Sequence, residues 1–466
     1  MMSDPAFSAP AVPATAKIPE QQNRFVVSIV TVLGAQIGRA LISLLLEVIY
    51  ARLLGPAGRG QLSLSMMVFS CGILVGGMGG EIPIMIWSAD RTQSPVEWLP
   101  SVIFCGLLGS VFASALWVFL FWYWQPAFLR GITPPLALLL LGSIPFGILG
   151  TYCLAFLVGL DRLRDRSIMV VLSQLVNLAA AGMLFYFLGP SVERAFVALM
   201  AGLIAALISA AVFLKPHLRL LSDSKNIAWL GKAGPTLRLG IRGQLGNVAT
   251  FFNYRLDVFI VNYYLNTTEV GLYALGVMIS EALWQVPNAA ALSLVPRTAR
   301  NLDDSGVQFT CLVCRQVFVV ACLMALSVAL LCAWLVPLVF GEKFGPSVPV
   351  IWWILPGTVA LAVAKVMCAD LLARGMPGYA ALFSFVSLLV TVTFDLILIP
   401  RMGIQGAALA STLAYLANSF LVAFVLRRKL GVSWAALYLP TRTELDPYLR
   451  AWGRLMSWVR PSSVVV

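Results

Sequence analysis

Apolar residues fall into about twelve blocks between Phe25 and Leu426, each comparable to the roughly 20 residues needed to cross the hydrocarbon core of a bilayer. Only a helix satisfies its own backbone in that solvent. The pattern therefore predicts membrane helices over 25–54, 62–87, 99–124, 135–160, 168–188, 195–214, 239–265, 270–295, 317–340, 348–372, 379–399 and 404–426. The fold class is an all-α polytopic membrane protein. The first block is too long for a signal-peptide core and has no small-residue cleavage site, so it is expected to remain attached.

The breaks between blocks divide the chain. Residues 1–24, rich in Ala and Pro, are expected to form a disordered cytoplasmic tail. Residues 25–214 and 239–426 make an N-terminal and a C-terminal six-helix bundle, joined by a basic segment, 215–238, on the inner membrane surface. Residues 427–466 form a basic tail in which Tyr448, Leu449, Trp452, Leu455 and Val459 recur at helical spacing, as in an amphipathic surface helix. The bundles look like copies. ARLLGPAGRGQLSLSMM after the first span echoes VNYYLNTTEVGLYALGVM after the seventh, pairing Gly60 with Gly271, and Glu47 and Asp257 precede those glycines at nearly equal distance. Copies separated by six spans insert in the same orientation, a parallel repeat of the kind that builds transporters around a central cavity.

The composition, 60% hydrophobic and 11% charged, changes nothing in this picture, but the net charge of +12 needs an explanation. With an even number of spans both termini share one side, and about 22 Lys and Arg fall there against about 6 opposite, namely Arg52, Arg59, Arg130, Arg194, Lys343 and Arg401. The positive-inside rule places both ends in the cytoplasm and absorbs most of the charge, so no nucleic-acid partner is expected.

Charges inside the spans are few, and an ionisable group there normally faces a cavity or a partner. Arg39, Arg255, Glu281 and Lys365 lie nearest the middle of their spans; Glu47, Glu81 and Asp257 join them, while Arg242, Asp370 and Asp395 lie closer to span ends, where long side chains snorkel. At about 100° per residue Arg255 and Asp257 point nearly opposite ways, so they cannot form a simple pair on one face. Either midplane cations share a central cavity, or they are buried in pairs such as Arg255 with Glu281. Cys311 and Cys314 are spaced one helical turn apart and read as packing residues; the one histidine, His217, reads as solvated beside the headgroups. No nucleotide-binding loop and no metal-ligand cluster occurs, no cofactor is expected, and no long outer loop could form the polar domain of a glycan-joining enzyme. A transporter is expected rather than an enzyme.

Several stretches are similar to one known family. ARLLGPAGRG (51–60), RLGIRGQLGNVATFFNYRLDVFIVNYYLNTTEVGLYALG (238–276), VPNAAALSLVPRTAR (286–300), LLARGMPG (371–378) and IPRMGIQGAALAST (399–412) resemble the Wzx-like lipid-linked oligosaccharide flippases and related polysaccharide biosynthesis proteins of the multidrug/oligosaccharidyl-lipid/polysaccharide exporter superfamily. The resemblance implies two bundles that expose a central cavity alternately to the two sides of a bacterial-type cytoplasmic (inner) membrane. It implies as substrate a polyprenyl-pyrophosphate-linked oligosaccharide carried from inner to outer leaflet for surface polysaccharide, with membrane lipid around it and a glycan polymerase or ligase as a partner. Arginine grips a pyrophosphate with a bidentate fork and lysine with a point charge. Arg39, Arg255 and Lys365 are the candidates for that grip, with Arg242 at the cytoplasmic mouth. Glu47, Asp257 and Glu281 are candidates for carrying a coupling proton or sodium ion, or for balancing those cations. An ion-coupled exporter of amphipathic, drug-like cations and a non-transporting envelope-assembly scaffold are the alternatives.

Overall fold

The computed structural model describes residues 18–90, 92, 94–222, 230–300, 303–440 and 444. Among them are helices and connections but no strand. The order is α1 (Ile18–Gly76), α2 (Glu81–Ala89), α3 (Pro95–Phe128), α4 (Pro134–Gly159), α5 (Leu163–Leu188), α6 (Val192–Ser222), α7 (Ala233–Tyr264), α8 (Thr267–Glu281), a 3₁₀ turn (Ala282–Trp284), α9 (Gln285–Arg300), α10 (Asp304–Phe340), α11 (Ser347–Ala373), α12 (Pro377–Met402), α13 (Ile404–Leu430) and the short α14 (Trp434–Tyr438).

Ten of the described helices are long and apolar enough to cross a membrane. Two of the expected spans do not register separately, for two reasons. The first and second spans are joined in α1, which bends at Gly55; φ there is 67°, a conformation open to glycine, and Pro56 starts the second arm with φ already fixed. The seventh, α7, carries Arg238, Arg242, Arg255 and Asp257, which lower its apolar character. The membrane face is plain in α10: Cys314, Val317, Ala321, Ala325, Cys332 and Val336 are buried at steps of three, four and seven residues, while Leu323, Leu326, Leu330 and Trp334 are exposed between them to lipid.

Helices up to α6 pack mainly on one another, as do those from α7 onward, and the halves meet chiefly through α1 with α8 and α3 with α7. Glycine decides how closely they meet. A Cβ on Gly60 would lie 1.7 Å from the Thr267 carbonyl oxygen, and one on Gly271 would lie 2.0 Å from that of Pro56. The two glycines paired by the internal repeat are thus the crossing point of the two copies. Arg52 Nε donates to Val339 O at 2.8 Å, and Asn262 Nδ2 to Phe128 O at 2.8 Å, on the same, cation-poor face. At the opposite, cation-rich face the second span breaks: Met78 (φ 47°) and Gly79 (φ 69°) interrupt it between α1 and α2, and a Cβ on Gly79 would lie 2.3 Å from Gly240 O. Gln244 Nε2 donates to Leu74 O at 3.1 Å beside that crossing. The halves touch at both ends, leaving space between.

Caps set several boundaries. Asn266 accepts from Glu269 N at 3.0 Å and starts α8, so the asparagine of its Asn-Thr-Thr sequence serves as a helix cap; Asp303 does the same for α10 through Gly306 N at 3.2 Å. His217, expected in a loop, lies within α6, its ring 5.5 Å from that of Phe156, because α6 runs on to Ser222. Helix α1 begins at Ile18, inside the stretch expected as a tail. Residues 1–17, residues 223–229 of the inter-bundle segment and the expected amphipathic helix around Trp452 lie outside the described residues.

Candidate functional site

A cavity of about 390 Å³ lies between the halves. Each half contributes helical faces to it at the same three- and four-residue steps: Ser43, Leu46, Glu47 and Tyr50 from the first arm of α1, Arg59, Ser63, Met66, Met67 and Ser70 from the second. Phe251, Tyr254, Arg255 and Val258 of α7 and Ala274, Val277, Met278 and Glu281 of α8 complete the opposite wall, with Gln174, Asn177 and Leu199 behind. Its size falls within the roughly 300–1,000 Å³ of small-molecule sites.

Four of the residues singled out from the sequence, Glu47, Arg255, Asp257 and Glu281, line this one space. They are organised by two ion pairs, one from each half. Arg59 Nη2 lies 2.8 Å from Glu47 Oε2, and Arg255 Nη2 lies 2.8 Å from Glu281 Oε2. The charges are exchanged between the copies: the acid sits on the earlier helix of the N-terminal pair and on the later helix of the C-terminal pair. Arg59 is 6% exposed and also reaches the Ser63 hydroxyl and the Met278 sulfur, so it ties the two walls together. Arg255 keeps 37% of its side chain exposed in the cavity, and Glu281 Oε1 is buried without a hydrogen-bond partner. One guanidinium is therefore locked and the other accessible.

The placement of Arg59 corrects the sequence reading, which counted it among outer-loop cations. The Gly55–Pro56 bend re-enters helix at once, so Arg59 sits in the first turn of the second arm, facing inward. The signal was present in the spacing of 59, 63, 66, 67 and 70, which runs along one helical face.

Asp257 lies at the buried margin of this cavity and is 2% exposed. It accepts from the Tyr273 hydroxyl and from its neighbour's amide, Val258 N, at 2.7 Å; Tyr273 also meets the Ser411 hydroxyl at 3.3 Å. Asp395 of α12, whose position near a span end suggested snorkelling, is instead fully buried, and neither of its oxygens has a hydrogen-bond partner. Thr391, one turn before Asp395 on α12, donates to Asn253 Oδ1, one turn before Asp257 on α7, at 3.1 Å, so both acids belong to the contact between these helices. A buried carboxylate needs a counter-charge or a proton.

The remaining candidates lie elsewhere. Lys365 lines a second cavity within the C-terminal half. Arg39 and Arg242 are exposed and line neither cavity. Asp370 is fully buried, accepting from Thr310 Oγ1 at 2.7 Å and paired with Arg374 at 2.7 Å, a brace between α10 and α11. Among the described residues no group of three or more His, Cys, Asp or Glu could hold a metal ion.

A model of the polysaccharide biosynthesis protein family matches residues 25–302. No curated protein matches the chain. Among solved structures, the lipid II flippase MurJ in an inward closed conformation superposes with a TM-score of 0.72 at 12% identity, over 86% of this chain and 87% of its own. An inward-facing multidrug resistance transporter of the MATE family, of the MOP superfamily, gives 0.66 at 15% identity over 84% and 94%. An outward-facing MATE transporter gives 0.57 at 16% identity over 87% and 94%. At these identities the likeness is one of fold: two lobes of membrane helices, as in the MOP-superfamily transporters.

Proposed function

The chain belongs to the polysaccharide biosynthesis protein family, and from that premise we propose that it is a flippase carrying a polyprenyl-pyrophosphate-linked oligosaccharide from the inner to the outer leaflet of a bacterial-type cytoplasmic membrane. Both termini are cytoplasmic in this reading, which follows from the distribution of Lys and Arg. The observation that carries it is the pair of arginines, Arg59 and Arg255, facing one cavity from opposite halves, each already holding a carboxylate at 2.8 Å.

A pyrophosphate offers the same oxygens as a carboxylate, with more charge, so it can replace Glu281 on the accessible fork of Arg255 and then Glu47 on Arg59. Each displaced glutamate takes up a proton or a cation, which couples the headgroup to an ion gradient. Asp257 and Asp395 hold the coupling proton or sodium ion in the C-terminal half. Arg242, exposed near the cation-rich end of α7, meets the headgroup before it enters the cavity, and Arg39, exposed at mid-span, is a further cation beside its path. The glycan follows through the opening made when the Gly79–Gly240 crossing parts, and it leaves when the Gly60–Gly271 crossing parts. A glycan polymerase or ligase then consumes the product on the outer leaflet. Export of amphipathic cations is the less favoured reading, since two guanidiniums in the cavity repel such a substrate.

The test is translocation in liposomes. The reconstituted chain should move a fluorescent lipid-linked oligosaccharide between leaflets, and Arg255→Gln should lower the rate at least tenfold. Uptake of a cationic dye with no movement of the lipid-linked glycan would transfer the protein to the export reading.

A further inference from the structure

The cavity around Lys365 is the part of the molecule that the flippase reading does not use. It measures about 360 Å³ and lies inside the C-terminal half, walled by α7, α9, α11, α12 and α13. Tyr254 lines both this cavity and the central one, so its ring is part of the wall between them. Lys365 Nζ lies 4.6 Å from the ring centre of Trp284 and 5.5 Å from that of Tyr254.

Those rings stabilise one side of the ammonium. They accept none of its hydrogen bonds in the ordinary sense, and among the described residues the amine makes no hydrogen bond or ion pair. The deficit extends to its neighbours. The indole N–H of Trp284 is buried with no acceptor. Asn418, 6% exposed, lines the cavity with its amide oxygen unpartnered, so nothing fixes that amide, and it can turn its NH₂ inward. The cavity therefore brings one positive charge together with the hydroxyls of Thr250 and Ser384 and the amides of Asn288 and Asn418, groups that can donate to an anion. Among the residues that line it there is no Asp or Glu. Leu361, Ala364, Ala369 and Phe383 supply the apolar part of the wall, and Leu372, at its rim, is exposed on the protein surface.

We propose that this cavity is an anion site for a phosphate group, free or at the head of a single-phosphate lipid, with Lys365 as its counter-ion and Asn418 as a supporting donor. The ammonium keeps its aromatic backing and turns its N–H donors to the phosphate oxygens, and the apolar rim accommodates the first carbons of an esterified chain. The site is separate from the central one: none of its charged residues lines the cavity of Arg59 and Arg255.

Native mass spectrometry of the full chain released from detergent, titrated with citronellyl phosphate, inorganic phosphate or citronellol, tests this. One citronellyl phosphate should bind in wild type and in Arg255→Gln. Its affinity should fall at least tenfold in Lys365→Met and in Asn418→Leu, and be largely kept in Lys365→Arg. Competition by inorganic phosphate would assign the site to the phosphate group itself, and its absence to a lipid phosphate; citronellol should not bind there. The proposal is overturned if wild type binds neither phosphate probe, if folded Lys365→Met binds as wild type does, or if uptake is lost only in Arg255→Gln. Should Lys365→Met not fold, unchanged binding in Asn418→Leu overturns it. Because Arg255→Gln removes the central grip and leaves Lys365, failure of this site and failure of the flippase reading give different patterns.

Discussion

In the N-terminal half, the ionic chemistry at the central cavity comes down to one pair, Glu47 with Arg59. The C-terminal half, built from the same helical plan, presents Arg255 with Glu281, buries Asp257 against Tyr273 and leaves Asp395 without a hydrogen-bond partner, and keeps Lys365 in a cavity of its own. A repeat preserves the path of the backbone more strictly than the chemistry attached to it. Gly60 and Gly271 must both lack a Cβ because each passes within contact of the other's chain, and that requirement is symmetric. Charge has no such requirement. In the proposed mechanism the N-terminal half contributes the enclosed arginine, which gives up its carboxylate second, and the C-terminal half contributes the accessible pair, which exchanges first, and the coupling ion.

The comparison can be broken first at the symmetric element. Gly60→Val and Gly271→Val place a side chain where 1.7 and 2.0 Å are available to the first carbon. Both should prevent closure on the cation-poor face and reduce translocation to background, and cysteine cross-linking across that face should fail in both. If only one of the two variants loses activity, the crossing is not the shared hinge of the copies.

The asymmetric element comes next. Asp257→Asn and Asp395→Asn remove a buried charge that needs a partner, so a gradient of protons or sodium should no longer accelerate translocation, with gradient-driven rates falling about tenfold, equivalent to roughly 1.4 kcal/mol. Measurement with and without an imposed gradient checks this, because an ion-independent loss of rate would indicate damaged packing instead. Replacing a fork by a point charge gives a smaller effect: Arg255→Lys should weaken pyrophosphate affinity by a few-fold to about tenfold, and Arg59→Lys should do so less, since Arg59 is the more enclosed of the two. Competition with a short-chain prenyl pyrophosphate reads both. The smallest effects belong to Arg39→Gln and Arg242→Gln, whose side chains are exposed and line neither cavity; initial rates should change by less than a factor of about three, within the modest range of exposed charges.

The membrane architecture was legible in the sequence because a bilayer imposes a length on every apolar block. The pairing of Gly60 with Gly271 was legible as well, since both lie in the same echoed motif. The site was less so. Arg59 lay one turn beyond a Gly-Pro bend that reads equally well as a loop, and only its step to Ser63, Met66 and Ser70 marks it as part of a lining face. Asp395 was discounted for lying near a span end, but depth along a helix says nothing about which face a residue occupies, and it is buried on the face of α12 where Thr391 meets Asn253 of α7. Lys365 was grouped with the arginines by depth alone; the partition formed by Tyr254 depends on how α7 rotates against α11, which no single helix records.

The central claim is that two arginines from opposite halves hold one pyrophosphate, and a double-variant cycle on translocation of a lipid-linked oligosaccharide tests it most directly. Rates are compared in wild type, Arg59→Gln, Arg255→Gln and the double variant. Two groups acting on one headgroup are not independent, so the double variant should be little slower than the slower single variant. Losses that multiply across the two sites, or a double variant that still translocates like wild type, would contradict the account.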